Sequence, residues 1–422
     1  MDRRRPLPKA TSHPPTTLPL PRNMREPLLP IDAYTVDVGD ENRWQGHPTQ
    51  PHGWFSITHI AYRMAMLPPE RRGWFLETLP LDVLPQGPRR PTHIDHEAPA
   101  PTDPMVIACE QLRVIAEDME RDGCFEMAFT TVSSAARLAS LHDAGAALSA
   151  GNHLARITRQ LGETAAAEEI YTSVVQEAKR LGLRSVAGYA LAGLGNLAIM
   201  RGNRPAQLYY YSEALDHAPA GSALEGTAHW GLMNHALATH SLPDALLHGW
   251  RAYDLLDGDE MRAGILSNLA SVAYRGGFHE AAVGGYLGAL QLAGPPRLWL
   301  SIAAAAGEAL GHAGREDRLT WLGREGRARA GAVGPFEVAQ WLLGLAQGWQ
   351  AAGDLASATR FAEESCHLAR QHEFHEVVYR AEALLGATAE TTTSRRESAE
   401  SAFADLPSPA REGLSRLVTL AG

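Results

Sequence analysis

Turn-forming residues recur along this chain every 36 to 40 positions, a spacing that demands an array of similar short units and not a single irregular core. Residues 191–215, LAGLGNLAIMRGNRPAQLYYYSEAL, show one unit. Leu191, Leu194, Gly195 and Ala198 fall on one face of a first helix. Gly202 breaks that helix, and Pro205 suits the first turn of the next. Tyr210, Tyr211, Ala214 and Leu215 make the buried stripe of a second helix. A helix pair of this kind cannot bury its apolar face alone, so it needs neighbours of its own type.

Aligned on that turn, the chain gives Gly123, Gly162, Gly202, Ser241, Gly277, Gly314 and Gly353, at spacings of 39, 40, 39, 36, 37 and 39. Seven residues earlier stand Ala116, Ala155, Gly195, Asn234, Ala270, Gly307 and Ala346, nearly all small, as a close helix crossing requires. Five residues after the turn come Ala128, Ala167, Gln207, Leu246, Ala282, Leu319 and Ala358. Nine after it, the middle units carry a ring: Tyr171, Tyr211, Trp250 and Tyr286.

These columns resemble the tetratricopeptide repeat family. Residues 191–215 resemble its leucine-glycine signature, its turn glycine, and the tyrosine and Ala-Leu of its second helix; residues 147–179 and 264–292 are similar. The resemblance covers about residues 105–371 and implies an all-α, right-handed α-solenoid of about seven antiparallel helix pairs. The period exceeds the usual 34, as in divergent members attached to bacterial regulators. The fourth unit (Asn234, Ser241, Leu246) and the sixth (Leu319, Gly323) lack parts of the pattern.

Composition narrows the partners. The net charge is −10, from 38 basic and 48 acidic residues. Residues 1–104 hold 12 of each sign, so the acidic excess belongs to the rest of the chain and argues against nucleic acid. Cys109, Cys124 and Cys366 form no disulfide framework, which fits a reducing, cytoplasmic setting. No apolar run is long enough to span a membrane.

The ends differ from the array. Residues 1–53 are proline-rich and read as an extended arm, disordered or laid on the array or on a neighbouring subunit. Residues 54–104 hold short helical pieces and a proline-rich linker, a possible N-terminal cap. Beyond residue 371 we expect a capping helix over 373–388, a polar linker at 389–400 and a short amphipathic terminal helix that either docks back or faces a partner.

No catalytic constellation stands out, and nothing calls for a cofactor or a metal. HEFHE (372–376) would place His372, His375 and Glu376 on one helix face, with His367 one turn before, yet it lacks metalloprotease spacing; THIDHE (92–97) lies in linker. Gly193-x-Gly195 follows no strand, which excludes a nucleotide loop. Arg315, Arg318, Arg324, Arg327 and Arg329 alternate with acids and read as a solvated face.

The resemblance implies that first helices line a groove, with positions 13, 10, 6 and 3 before the turn pointing into it. These include Ser149, Asn152, Arg156 and Arg159 in the second unit, Tyr189 and Asn196 in the third and His235 in the fourth. Asparagines can pair with both sides of a peptide unit, and arginines can grip a carboxylate by a forked pair of bonds. The candidate site is therefore Asn152, Arg156, Arg159, Tyr189, Asn196 and His235, holding an acidic or C-terminal peptide segment. The competing reading pairs Arg156 and Arg159 with Glu117 and Glu120, one unit earlier. The expected function is non-catalytic binding of a protein or peptide. The alternatives are a structural subunit whose arm docks on a neighbour, giving a homo-oligomer or filament, and a peptide-sensing regulator.

Overall fold

A computed structural model describes residues 104–121, 125–140, 143–387, 403 and 406–420. The proline-rich arm, the helical pieces and linker up to residue 103, the first turn with Gly123 and Cys124, and the 389–400 linker lie outside the described residues. Every assigned element is an α-helix, and the helices alternate as antiparallel pairs: a tetratricopeptide-like array. Contacts divide the chain into two compact units, one ending at Pro219 and one beginning at Ala220.

The first unit holds three pairs: α1 (Pro104–Arg121) with α2 (Phe125–Ala139), α3 (Ala144–Gln160) with α4 (Thr164–Leu181), and α5 (Arg184–Met200) with α6 (Arg204–His217). Each second helix packs on the first helix of the next pair, and α3 touches both α1 and α5. Met119, Val132, Leu148, Leu154, Ile157, Ile170, Val174, Leu194 and Leu197 form its continuous core. Gly193 and Gly195 of α5 each leave room for a ring. A Cβ on Gly193 would strike Tyr171 from α4, and one on Gly195 would lie 2.7 Å from the Tyr211 ring of α6. The Gly-x-Gly that resembles a nucleotide loop is thus a pair of tyrosine slots.

From α3 onward, each first helix ends by the same chemistry. At Gly202 (φ 66°) the Asn203 N–H reaches back to the Ala198 carbonyl at 2.9 Å, and the Gly202 N–H to Ile199 at 3.0 Å. The Asn203 side chain then caps α6 by accepting from the Ala206 N–H at 3.1 Å.

The second unit contains α7 (Ala223–Ala238), α8 (Leu242–Leu255), α9 (Asp259–Arg275), α10 (His279–Leu292), α11 (Pro296–His312), α12 (Glu316–Ala330), α13 (Pro335–Ala352), α14 (Leu355–Gln371), α15 (His375–Ala387) and α16 (Ser408–Thr419). Here one expectation needs correction. The left-handed turn residue after α7 is His240 (φ 61°), not Ser241, and the Ser241 N–H makes the reaching-back bond to Ala236 at 2.9 Å. A one-residue shift follows. Ala245, fully buried, then replaces Leu246 five after the turn, which restores the alanine column. Gly249, not Trp250, falls nine after it, and a Cβ there would lie 2.6 Å from the Met233 sulfur. The fourth pair therefore exchanges small and large residues across the crossing: methionine on the first helix, glycine on the second.

The sixth pair departs further. α11 runs along α13, the first helix of the next pair, through Gly307, Gly311, Gly344 and Gly348. A Cβ on Gly344 would stand 2.6 Å from Ala304 Cα, and one on Gly311 2.8 Å from Ala351 Cβ. α12 lies against this seam with Gly326 facing the Trp341 ring. Beyond α14, α15 packs on α13 and α14, and α16 crosses the second helices α8 and α10.

Candidate functional site

Helices α3 and α5 carry five of the six candidate residues in the first unit; His235 belongs to α7 of the second. The α3 residues sit one turn apart, so Asn152, Arg156 and Arg159 share a face between Glu117 and Glu120 of α1 and Asn196 of α5.

Arg156 donates to Glu120 at 2.7 Å and stands 3.9 Å from Glu117, which is the internal pairing that the sequence left open. Glu120 also accepts from His153 Nε2 at 3.1 Å. Burial acts to raise the Glu120 carboxyl, but the His153 hydrogen bond and the Arg156 charge outweigh it and hold it at about 2. Burial and the Arg156 charge push His153 down to about 3, so the imidazole is neutral and donates through Nε2.

Arg159 behaves differently. Its Nη1 lies 3.9 Å from Met200 Sδ, its guanidinium bonds the buried Tyr171 hydroxyl, and its buried Nε finds no partner. No carboxylate pairs with it among the described residues. Burial raises Tyr171 and Tyr211, opposed in each case first by Arg159, so both rings stay neutral beside the cation. The Tyr211 hydroxyl donates to Asn196 Oδ1 at 2.9 Å. This fixes the amide with Nδ2 as its remaining donor group. Asn152 donates from Nδ2 to the Val186 carbonyl at 2.9 Å, while its buried Oδ1 has no protein partner. Tyr189 is half-buried on α5.

Arg113 of α1 joins this cluster unannounced. It is 4% exposed, its Nε is unpaired, and burial presses its pKa down against the Glu117 charge. The spacing rule reaches it ten residues before Gly123, so the signal was present in the sequence. The face thus combines unsatisfied donors on Arg113 and Arg159 with an unsatisfied acceptor on Asn152. Buried polar atoms without partners cost free energy, on the order of 1–3 kcal/mol each, which an incoming polar chain would recover.

In the second unit, the turn at His240 moves the six-before position from His235 to Asn234, whose Oδ1 accepts from Asn268 Nδ2 at 3.1 Å. His235 is half-buried beside it in sequence. The arginines of α12 are consumed by acids: Arg315 with Glu280 at 2.8 Å, Arg327 with Glu364 at 2.8 Å, Arg329 with Glu325 at 2.8 Å. HEFHE spans the end of α14 and the start of α15, with Glu373 at φ 58° between them, so His372 and His375 do not share a helix face as expected. Among the described residues no group of three or more metal-binding side chains occurs, and no helix is long and apolar enough to cross a membrane.

No protein-family model matches the chain, and no curated protein matches it. Solved structures with a similar arrangement of helices are distant. BtubC (BKLC) from P. vanneervenii is 18% identical over 68% of this chain and 96% of its own, with a TM-score of 0.34. A Rap protein complexed with competence and sporulation factor is 11% identical over 85% of this chain and 94% of its own, at 0.36. The TPR2AB domain of yeast Sti1, in complex with pHSP90, is 12% identical over 67% and 98%, at 0.23. At these scores none of the three overlays closely on this chain.

Proposed function

We propose that the chain is a non-catalytic interaction module that binds an extended segment of a partner protein or peptide across α1, α3 and α5. The observation that carries this reading is Arg159, a half-buried cation with an unpaired Nε, no carboxylate partner among the described residues, and two buried tyrosines beside it. An acidic side chain or a terminal carboxylate would complete its hydrogen bonding, while Asn152 Oδ1 and Asn196 Nδ2 would meet the segment's backbone N–H and C=O. Arg156, spent on Glu120, holds the wall of the groove instead of the ligand.

The test is calorimetry against the best binder from an array of acidic and amidated fifteen-residue peptides. Arg159→Ala should weaken binding about tenfold or more, the scale of a lost charge-assisted hydrogen bond. Binding unchanged by Arg159→Ala would remove the site.

A further inference from the structure

On the polar face of the first unit, cations outnumber anions by one. Three guanidiniums gather there, Arg113 of α1 with Arg156 and Arg159 of α3, against the carboxylates of Glu117 and Glu120. Arg156 is bonded to Glu120 at 2.7 Å and lies 3.9 Å from Glu117. Burial presses Arg113 toward its neutral form, and the Glu117 charge is the largest influence against that. His153 is uncharged, and burial keeps the Tyr171 and Tyr211 phenols uncharged as well. One positive charge is left over, and it sits on Arg159.

The surroundings make that count strict. Burial is what raises Tyr171, but the charges of Arg159, Arg156 and Glu120 all act on the same phenol. An anion beside Arg159 therefore stands near the Glu120 carboxylate too, which His153 and Arg156 hold ionised at about 2 against its burial. The next cation along the chain, Arg201 after Met200, is bonded to Glu168 at 2.7 Å. The donors fit one carboxylate. Arg159 offers its guanidinium, the Tyr171 hydroxyl accepts from Arg159 and keeps its own proton to give, and Asn196 has Nδ2 left. A phosphoryl group instead carries a charge of about −1.5 to −2 at pH 7. Its desolvation cost grows with the square of the charge, whereas its attraction to one guanidinium grows only in proportion. The second charge is left without a cation and beside Glu120.

Building on the Arg159 site above, we propose that this face recognises its segment through one singly charged carboxylate and turns away a segment with a phosphoryl group in that place. Phosphorylation of a partner at this position releases it instead of recruiting it.

The probes are three forms of the tightest-binding array peptide, with Asp, Asn or phosphoserine at the position whose neutralisation weakens binding most. Each is titrated by fluorescence anisotropy into the full chain. At pH 7.5 the Asp form should bind at least tenfold more tightly than the phosphoserine form; a phosphoserine form that binds as well or better overturns the proposal. The Asn form separates the two claims: if it binds as well as the Asp form, the Arg159 reading itself fails. At pH 5 the phosphoryl group falls to about one negative charge, while Glu120, at about 2, and His153, at about 3, keep their charge states. The phosphoserine form should then gain at least threefold relative to the Asp form. No relative gain would mean that size and not charge excludes it, which overturns the proposal. Glu120→Gln reads the same count from the protein side. Phosphoserine binding should tighten at least fivefold more than Asp binding, and an equal change in both forms overturns it.

Discussion

Glycine-bearing first helices look alike in the repeat pattern and do opposite work. In α5, Gly193 and Gly195 admit the rings of Tyr171 and Tyr211, side chains from the helices on either side in sequence. In α11 and α13, Gly307 and Gly344 admit backbone, bringing the first helices of two successive pairs together and leaving α12 beside them. A column of small residues says that something comes close. It does not say whether that something can move.

That difference can be broken experimentally, beginning with the backbone seam. Gly344→Val should destabilise the second unit by about 3 kcal/mol or more, because its obstacle is the Ala304 main chain and no side chain can yield. Urea unfolding measures it, and a loss under 1 kcal/mol would mean that the seam opens freely.

Acid should separate the polar face from the seam. His153 titrates near 6.5 when unfolded and about 3 when folded, so the unfolded state binds more protons between those values and stability falls as pH falls. Glu120, at about 2 folded against 4.5, adds a loss of the same sign below pH 4.5. From pH 6.5 to 5 the His153 share is about 2 kcal/mol. His153→Gln should flatten that part of the pH–stability curve, while the Gly344→Val deficit should stay constant with pH.

The tyrosine slot should cost less and should be repairable. Gly195→Ala presses on the Tyr211 ring and should cost about 1 kcal/mol net of the alanine's better helix propensity. Combining it with Tyr211→Leu should recover at least about 1 kcal/mol of coupling in a double-mutant cycle. Simple additivity would show that the ring is not the obstacle. The smallest effect belongs to the fourth turn. His240→Gly should stabilise by about 0.5–1 kcal/mol by relieving a side chain at φ 61°, and Ser241→Gly should not. Thermal melts of both variants decide the register.

Period and column composition made the helix pairs legible, because turn glycines and crossing alanines answer to local backbone geometry. The turn at His240 escapes the pattern for the same reason. A serine is the commoner turn residue, whereas the left-handed position falls one residue earlier on a histidine, which tolerates it better than most. On the candidate face, the columns name Asn152, Arg156, Arg159 and Asn196, which α3 and α5 carry. They could not show which arginine is spent on a carboxylate, since that depends on whether Glu120 lies within reach, as it does for Arg156 and not for Arg159. Arg113 falls in the same column, ten residues before Gly123. The all-round burial of α10 was written in AAVGGYLGAL, a helix with no polar face, yet what covers it lies more than a hundred residues away.

That distance has a consequence in time. The Trp250 indole and the Gly413 carbonyl that meet across the α8–α10 groove are 163 residues apart. At the usual pace of synthesis, about 5–20 residues per second, α10 is complete roughly six to twenty-five seconds before the helix that covers it. For that interval a nascent chain carries a bare, helix-shaped furrow.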